Sequence, residues 1–320
     1  MGAASVVTRR SVTVATFLRR AILTAVTNGR VQVLVRKHGM RLGAARFVAG
    51  ETLDECLDVL ERLNAQGLDA NTTLLGEDVA SAAEARAVAD EYDRILGRIT
   101  ERGVQANVAL KLTHLGLLVD EQAAYENVSR VVDAAAARSN FVRIDMEHSA
   151  VVDAILRIYR RLRESGRDNV GVVLQSYLYR SEADLAALLP LRPNVRIVKG
   201  AYLEPPELAY PRKKDVDEAY VRLVEAALHG GAYAAVATHD RRLIEHVIEL
   251  ARGGSIADGR FEFQMLYGVR PELQLALVRR GYRVRVATPF GPEWYPYLMR
   301  RLAERPANLG FVLRNLLPAH

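Results

Sequence analysis

From residue 70 onward the chain repeats one theme eight times: a short apolar run of strand length, a polar tip, then a stretch with helical spacing. The runs lie at Ala70–Leu75, Ala106–Leu112, Phe141–Met146, Gly171–Tyr177, Val195–Gly200, Ala232–Thr238, Phe261–Leu266 and Tyr282–Ala287. Between them, Ala82–Ile99, Glu121–Ala137, Val151–Glu164 and Asp215–Leu228 carry apolar residues at helical intervals. Strands alternating with helices predict a parallel sheet. Eight units in a chain of 320 residues predict closure into a (βα)8 TIM-like barrel. A doubly wound open sheet is the competing architecture. It would carry a glycine-rich first turn, and neither G-x-G-x-x-G nor G-x-x-x-x-G-K-[ST] occurs. The expected organisation is an N-terminal helical extension over 1–69 and a barrel over 70–320.

Composition narrows the setting. Half the residues are hydrophobic, enough for a sizeable core. The single cysteine, Cys56, excludes a disulfide within the chain; its expected role is a small packed apolar residue. No apolar run reaches the roughly 18 residues that span a bilayer, and the start lacks a clear secretory signal. A cytoplasmic location is therefore expected. The net charge of +6 is uneven: residues 1–50 hold eight arginines and Lys37 with no acid before Glu51. Val14, Phe17, Leu18, Ile22, Leu23 and Val26 are interleaved with them. This basic amphipathic pattern reads either as solvated helices packed beside the barrel or as peripheral contact with the anionic inner membrane face. Nucleic acid is not expected, because no stacking aromatics alternate with the basic residues.

In a barrel of this kind chemistry gathers at the C-terminal ends of the strands. Those ends carry Lys111, Asp145, Gln175, Arg196, Lys199, Thr238, His239 and Gln264, and a helix after the last strand carries the pair Arg300 and Arg301. Lys111, Lys199, Arg300 and Arg301 suit an anionic ligand such as a carboxylate or pyrophosphate. The amides and hydroxyl suit the edge of a flat heterocycle. Each residue also has a plainer role: the arginine pair as solvated helix charges, Asp145 as a neutralising partner for a neighbouring cation, His239 as a strand-end hydrogen-bonding group. His114, Glu147, His148 and His239 match no strong metal spacing, so no metal is expected. There is no G-x-S-x-G elbow.

The wording of these segments resembles the monofunctional bacterial proline dehydrogenases. It rests on Lys-Leu-Thr at 111–113, Arg143–Glu147, Leu174–Leu178, Arg196–Tyr202, Ala237–Asp240, Phe261–Leu266 and Trp294–Arg301, seven segments in order across about residues 45–315. The resemblance implies a distorted (βα)8 barrel that holds FAD without a covalent bond, with a final helix over the active site. It implies oxidation of proline to 1-pyrroline-5-carboxylate by hydride transfer to flavin N5, with electrons passed to a quinone. By position, Lys111, Arg300 and Arg301 match residues that bind the substrate carboxylate, and Tyr297 and Ala287 match substrate contacts. Asp145 and Arg196 match the catalytic pair beside the flavin. Met146, Gln175, Arg196, Lys199, Gly200, Ala201, Thr238, His239 and Gln264 match cofactor contacts.

Two places depart from the family pattern. Where many members read Tyr-Val-Pro-Tyr-Gly, this chain reads Ala287-Thr288-Pro289-Phe290-Gly291. Where many carry an aspartate before Leu-Gly-Glu, Thr73 stands. Both departures leave the flavin residues untouched and open the question of substrate choice. A hydroxyproline or another modified cyclic amino acid is the alternative substrate. Two rival readings remain: a Schiff-base aldolase using Lys111 or Lys199, and a binding module without turnover.

Overall fold

The computed structural model describes residues 44–256 and 259–304. The basic amphipathic segment therefore lies outside the described residues, all but its last few positions. Eight parallel strands close into a barrel in sequence order: β1 (Asp69–Leu74), β2 (Ala106–Leu110), β3 (Val142–Ile144), β4 (Val170–Gln175), β5 (Asn194–Val198), β6 (Tyr233–Ala237), β7 (Phe261–Leu266) and β8 (Val284–Phe290). The ring closes through β1 and β8, paired from Asp69↔Arg285 to Leu74↔Phe290. The (βα)8 expectation holds and the open sheet is excluded.

Helix α1 (Leu53–Asn64) precedes the first strand. α2 (Ala82–Glu101), α3 (Glu121–Ala136), α4 (Val152–Glu164), α5 (Ser181–Leu188), α6 (Lys213–His229), α7 (Arg241–Leu250) and α8 (Pro271–Arg279) follow successive strands, and α9 (Trp294–Glu304) follows the last. Their starts are chemically marked: Thr52, Ser81 and Asp120 each accept a backbone N–H three residues on, and Thr52 with Glu55 completes a capping box.

Each strand alternates by face. Val142 and Ile144 of β3 point outward into the helix layer, with Val170, Val172, Val195, Ile197, Val236 and Phe263 on other strands. Burying each such side chain contributes roughly 1.5–3 kcal/mol. Many inward positions are polar, among them Asn71, Arg143, Arg196, Glu262, Gln264 and Arg285. The expected strand ends shift by a few residues. β3 stops at Ile144 rather than Met146, and β8 runs from Val284 to Phe290 rather than from Tyr282 to Ala287. A proline in a strand argues for a terminus, since it cannot donate to the ladder. Here Pro289 instead offers its carbonyl to the Ala49 N–H at 2.8 Å, and the pairing with β7 has already ended at Ala287.

The two terminal helices exchange the places that chain order suggests. α1 packs against β8 and β1 on the outside of the barrel, burying Cys56, Leu57, Leu60 and Leu63 in the main core. Residues 49–69 are thus held by the same core as the strands. Burial pushes the Cys56 thiol up to about 12, so it stays an unreactive packed group. α9 instead joins a second cluster, with Trp294, Tyr295 and Leu298 against Phe47, Val48 and Leu75 at the C-terminal end of β1. Trp294 Nε1 donates to Glu51 at 2.6 Å and ties that cluster to the segment before α1.

The polar interior leaves little room. A Cβ on Gly171 of β4 would lie 2.3 Å from Arg143 Nη1 and 2.6 Å from the Asn194 carbonyl. Gly171→Ala should lower unfolding free energy by about 1–3 kcal/mol through this overpacking. A urea titration checks it, and an unchanged midpoint would show that the guanidinium moves aside freely.

Candidate active site

The inward positions near the strand carboxyl ends open into a cavity of about 770 Å³. Of the residues expected at the site, the cavity wall holds Lys111, Asp145, Met146, Gln175, Arg196, Lys199, Gly200 and Ala201. It also holds Thr238, His239, Gln264 and Ala287 from the later strands, and Tyr297 from α9. Arg300 and Arg301 fall on α9, and their side chains lie outside the described residues.

Arg196 is the structural centre of the wall. Its Nη1 donates to Asp145 Oδ1 at 2.7 Å and its Nη2 to Asn71 Oδ1 at 2.9 Å. Burial lowers the pKa of this guanidinium, and the Asp145 carboxylate opposes that shift. Its Nε is buried without a hydrogen-bond partner. That unmatched buried donor is a cost the fold carries to keep the guanidinium in place at the cavity wall.

A second group of charges lines the side formed by β5 and β6. Lys199 Nζ lies 2.5 Å from Asp217 and 3.9 Å from Asp240, and Lys213 pairs with the other oxygen of Asp217. Gly200 follows with φ +116°, and a Cβ there would sit 2.2 Å from the Tyr177 ring. Only glycine allows the backbone to turn here, and it leaves a bare peptide surface beside two ammonium groups. His239 Nε2 accepts the Leu266 N–H at 2.9 Å, so the ring proton resides on Nδ1 when the imidazole is neutral. Gln175 donates its amide to the Glu147 carbonyl at 2.9 Å, and Gln264 donates to Glu262 at 2.5 Å. The amide oxygens of both are the atoms they can turn to a ligand.

On the β1–β2 side, Lys111 stands 3.7 Å from Glu77. Among the described residues no group of acidic, histidine or cysteine side chains could hold a metal ion. No described helix is long and apolar enough to cross a membrane.

Sequence reasoning passed over several cavity residues. Asn71 could have been found by counting two residues back from Thr73 along a strand whose side chains alternate. Lys213, at the start of α6, and Phe47, before α1, carry no local signal; tertiary packing brings them in.

A closed parallel barrel with a cavity lined by charged groups at its strand carboxyl ends is the architecture of a barrel enzyme. The family model described as proline dehydrogenase matches residues 56–314. A proline dehydrogenase of Deinococcus radiodurans is 43% identical over 303 residues, covering 93% of this chain and 97% of that protein. Proline dehydrogenase 1 of Bacillus subtilis is 40% identical over 300 residues, covering 94% and 99%. A crystal structure of proline utilization A from Bdellovibrio bacteriovorus, inactivated by N-propargylglycine, superposes with a TM-score of 0.79 at 24% identity. It covers 91% of this chain and 36% of the other, and speaks to the fold alone. The chain belongs to the proline dehydrogenase family, oxidoreductases acting on a CH–NH group.

One buried group in this region reports on pH. Burial and the Lys111 charge pull the His114 imidazole down from 6.5 to about 4. Between those values the unfolded chain takes up a proton that the folded chain refuses, so stability falls as pH falls through that window. His114→Gln should lose less stability than wild type between pH 7 and pH 5. Urea midpoints at the two pH values check this; equal losses would place the acid sensitivity elsewhere.

Proposed function

We propose that this protein oxidises proline, or a substituted proline, to the corresponding 1-pyrroline-5-carboxylate, with FAD as its bound cofactor and a quinone as electron acceptor. The observation that carries the reading is the Arg196–Asp145 ion pair, held at 2.7 Å in the wall of the cavity. The cavity volume of about 770 Å³ suits a large ligand, and the bare Gly200 peptide beside Lys199 and Lys213 suits a pyrophosphate. In this reading Met146, Gln175, Lys199, Gly200, Ala201, Thr238, His239 and Gln264 hold the cofactor. FAD, when bound, accepts a hydride at its N5 position.

The remaining residues orient the substrate. Lys111 supplies an ammonium for the substrate carboxylate, and Arg300 and Arg301 supply guanidiniums by their match to the family pattern. Tyr297 closes the cavity from α9. The ring nitrogen must be neutral when hydride departs from the neighbouring carbon, because its lone pair forms the C=N bond. Cations gathered around the carboxylate raise the cost of a protonated amine and favour that neutral form. Arg196 offers a fixed positive charge where negative charge develops, and Asp145 holds it in place. The site would act from the cytoplasmic side, with the basic segment before residue 44 making peripheral contact at the inner membrane face.

A specific observation favours the substituted substrate. Ala287 and Thr73 both line the cavity, from the adjacent strands β8 and β1. A methyl group and a hydroxyl there leave room and polarity for a ring substituent such as the 4-hydroxyl of hydroxyproline.

Three expected outcomes follow. The purified protein is yellow, releases FAD on denaturation and bleaches with proline; a colourless protein that does not bind added FAD overturns the reading. Lys111→Met keeps the flavin spectrum and lowers kcat/KM by about 10- to 100-fold, mainly through KM, as one charged hydrogen bond is lost. Ala287→Tyr raises the proline-over-hydroxyproline ratio of kcat/KM by roughly 10- to 200-fold. A ratio unmoved by that substitution would assign substrate choice to other residues.

A further inference from the structure

We propose that Asn71 is a positioning residue for Arg196, and that Asn107 sets the orientation of the Asn71 amide. The inference rests on the flavin-dependent reading above. Asn71 and Asn107 are register partners on β1 and β2, and Arg196 reaches Asn71 from β5 across the barrel interior. A guanidinium can only donate, so Asn71 must present its oxygen to Arg196 Nη2, 2.9 Å away. Its Nδ2 then faces Asn107 and donates to the Oδ1 of that residue. The three side chains have one consistent set of donors and acceptors. Turning either amide over would set like groups against each other. Asn71 is 1% exposed, so a misturned amide could not find water instead.

The choice of an amide has an electrostatic meaning. Asp145 already neutralises one side of Arg196 at 2.7 Å. A second acid at position 71 would hold the guanidinium equally well but cancel its field twice. Asparagine holds the other Nη without adding charge. Arg196 is thus anchored at two points, with its positive charge left to act on the cavity and its Nε–H unspent.

The test uses the holoenzyme and four variants, reading the flavin midpoint potential, kcat and KM separately, and the thermal midpoint. Asn71→Leu removes the acceptor; kcat should fall about 10- to 100-fold with flavin retained. Asn71→Asp keeps the acceptor and adds a charge; the midpoint potential should drop by about 30 mV, a tenfold change for a two-electron couple. Asn107→Leu should lower kcat in the same direction by less, and Asn107→Asp, which keeps an acceptor for the Asn71 amide, should restore it. If Asn71→Leu does not fold, the near-isosteric Asn71→Asp carries the test. A yellow wild type whose potential is unmoved in Asn71→Asp overturns the proposal, as does an equal kcat in Asn107→Leu and Asn107→Asp. A colourless wild type instead overturns the flavin reading, and this inference falls with it.

Discussion

The barrel interior holds three arginines, and the site depends on how their charges are contained. Arg143, Arg196 and Arg285 project inward from β3, β5 and β8. Taking a guanidinium out of water costs several kcal/mol, offset only by close and well-directed partners. Arg285 finds Glu262 at 3.0 Å, Asp69 at 3.1 Å and the Ala70 carbonyl at 2.8 Å. Arg143 finds the Asn194 carbonyl at 2.7 Å, and burial together with Arg196 pulls it down to about 9, still charged at neutral pH. Burial pushes Glu262 up, but Arg285, the Gln264 amide and Arg143 together outweigh it and hold that carboxyl below its usual range. The lower barrel is thereby filled with partnered guanidiniums, and the cavity lies above them with Arg196 and Asp145 in its wall.

That arrangement explains why several strands, such as β3, β5, β7 and β8, interrupt with charged or amide residues the continuous apolar runs usual for a parallel sheet buried on both faces. The outward face packs against helices and supplies the hydrophobic free energy. The inward face carries charge and amide groups among small and aliphatic residues, with a glycine where the Arg143 guanidinium crosses. Gly171 is one such concession, lying under Arg143.

The terminal helices complete the site by an exchange of roles. Because α1 fills the outer groove between β8 and β1, α9 is released to pack across the C-terminal end of β1. Tyr297 reaches the cavity from there, and Phe47 enters from the segment the exchange pulls alongside. Phe47 thus comes from outside the eight βα units, and Tyr297 from the helix of the last one.

Alternation of strand-length and helix-length patterns determined the barrel, since period-2 and period-3.6 apolar spacing cannot be exchanged without burying polar groups. The strand-end motifs determined which side chains meet, because every strand of such a barrel delivers its carboxyl end to the same face. Thr73 and Ala287 stood out in the same way, as departures at strand ends. The sequence alone could not decide what those side chains do to one another. Asn71 is an ordinary strand asparagine until β1, β2 and β5 are brought together and Arg196 demands its oxygen. Lys199 becomes half of a paired cation site only when α6 places Asp217 and Lys213 beside it. Hydrogen-bond polarity and charge compensation act over a few ångströms between residues up to 243 positions apart, and only tertiary structure sets such distances.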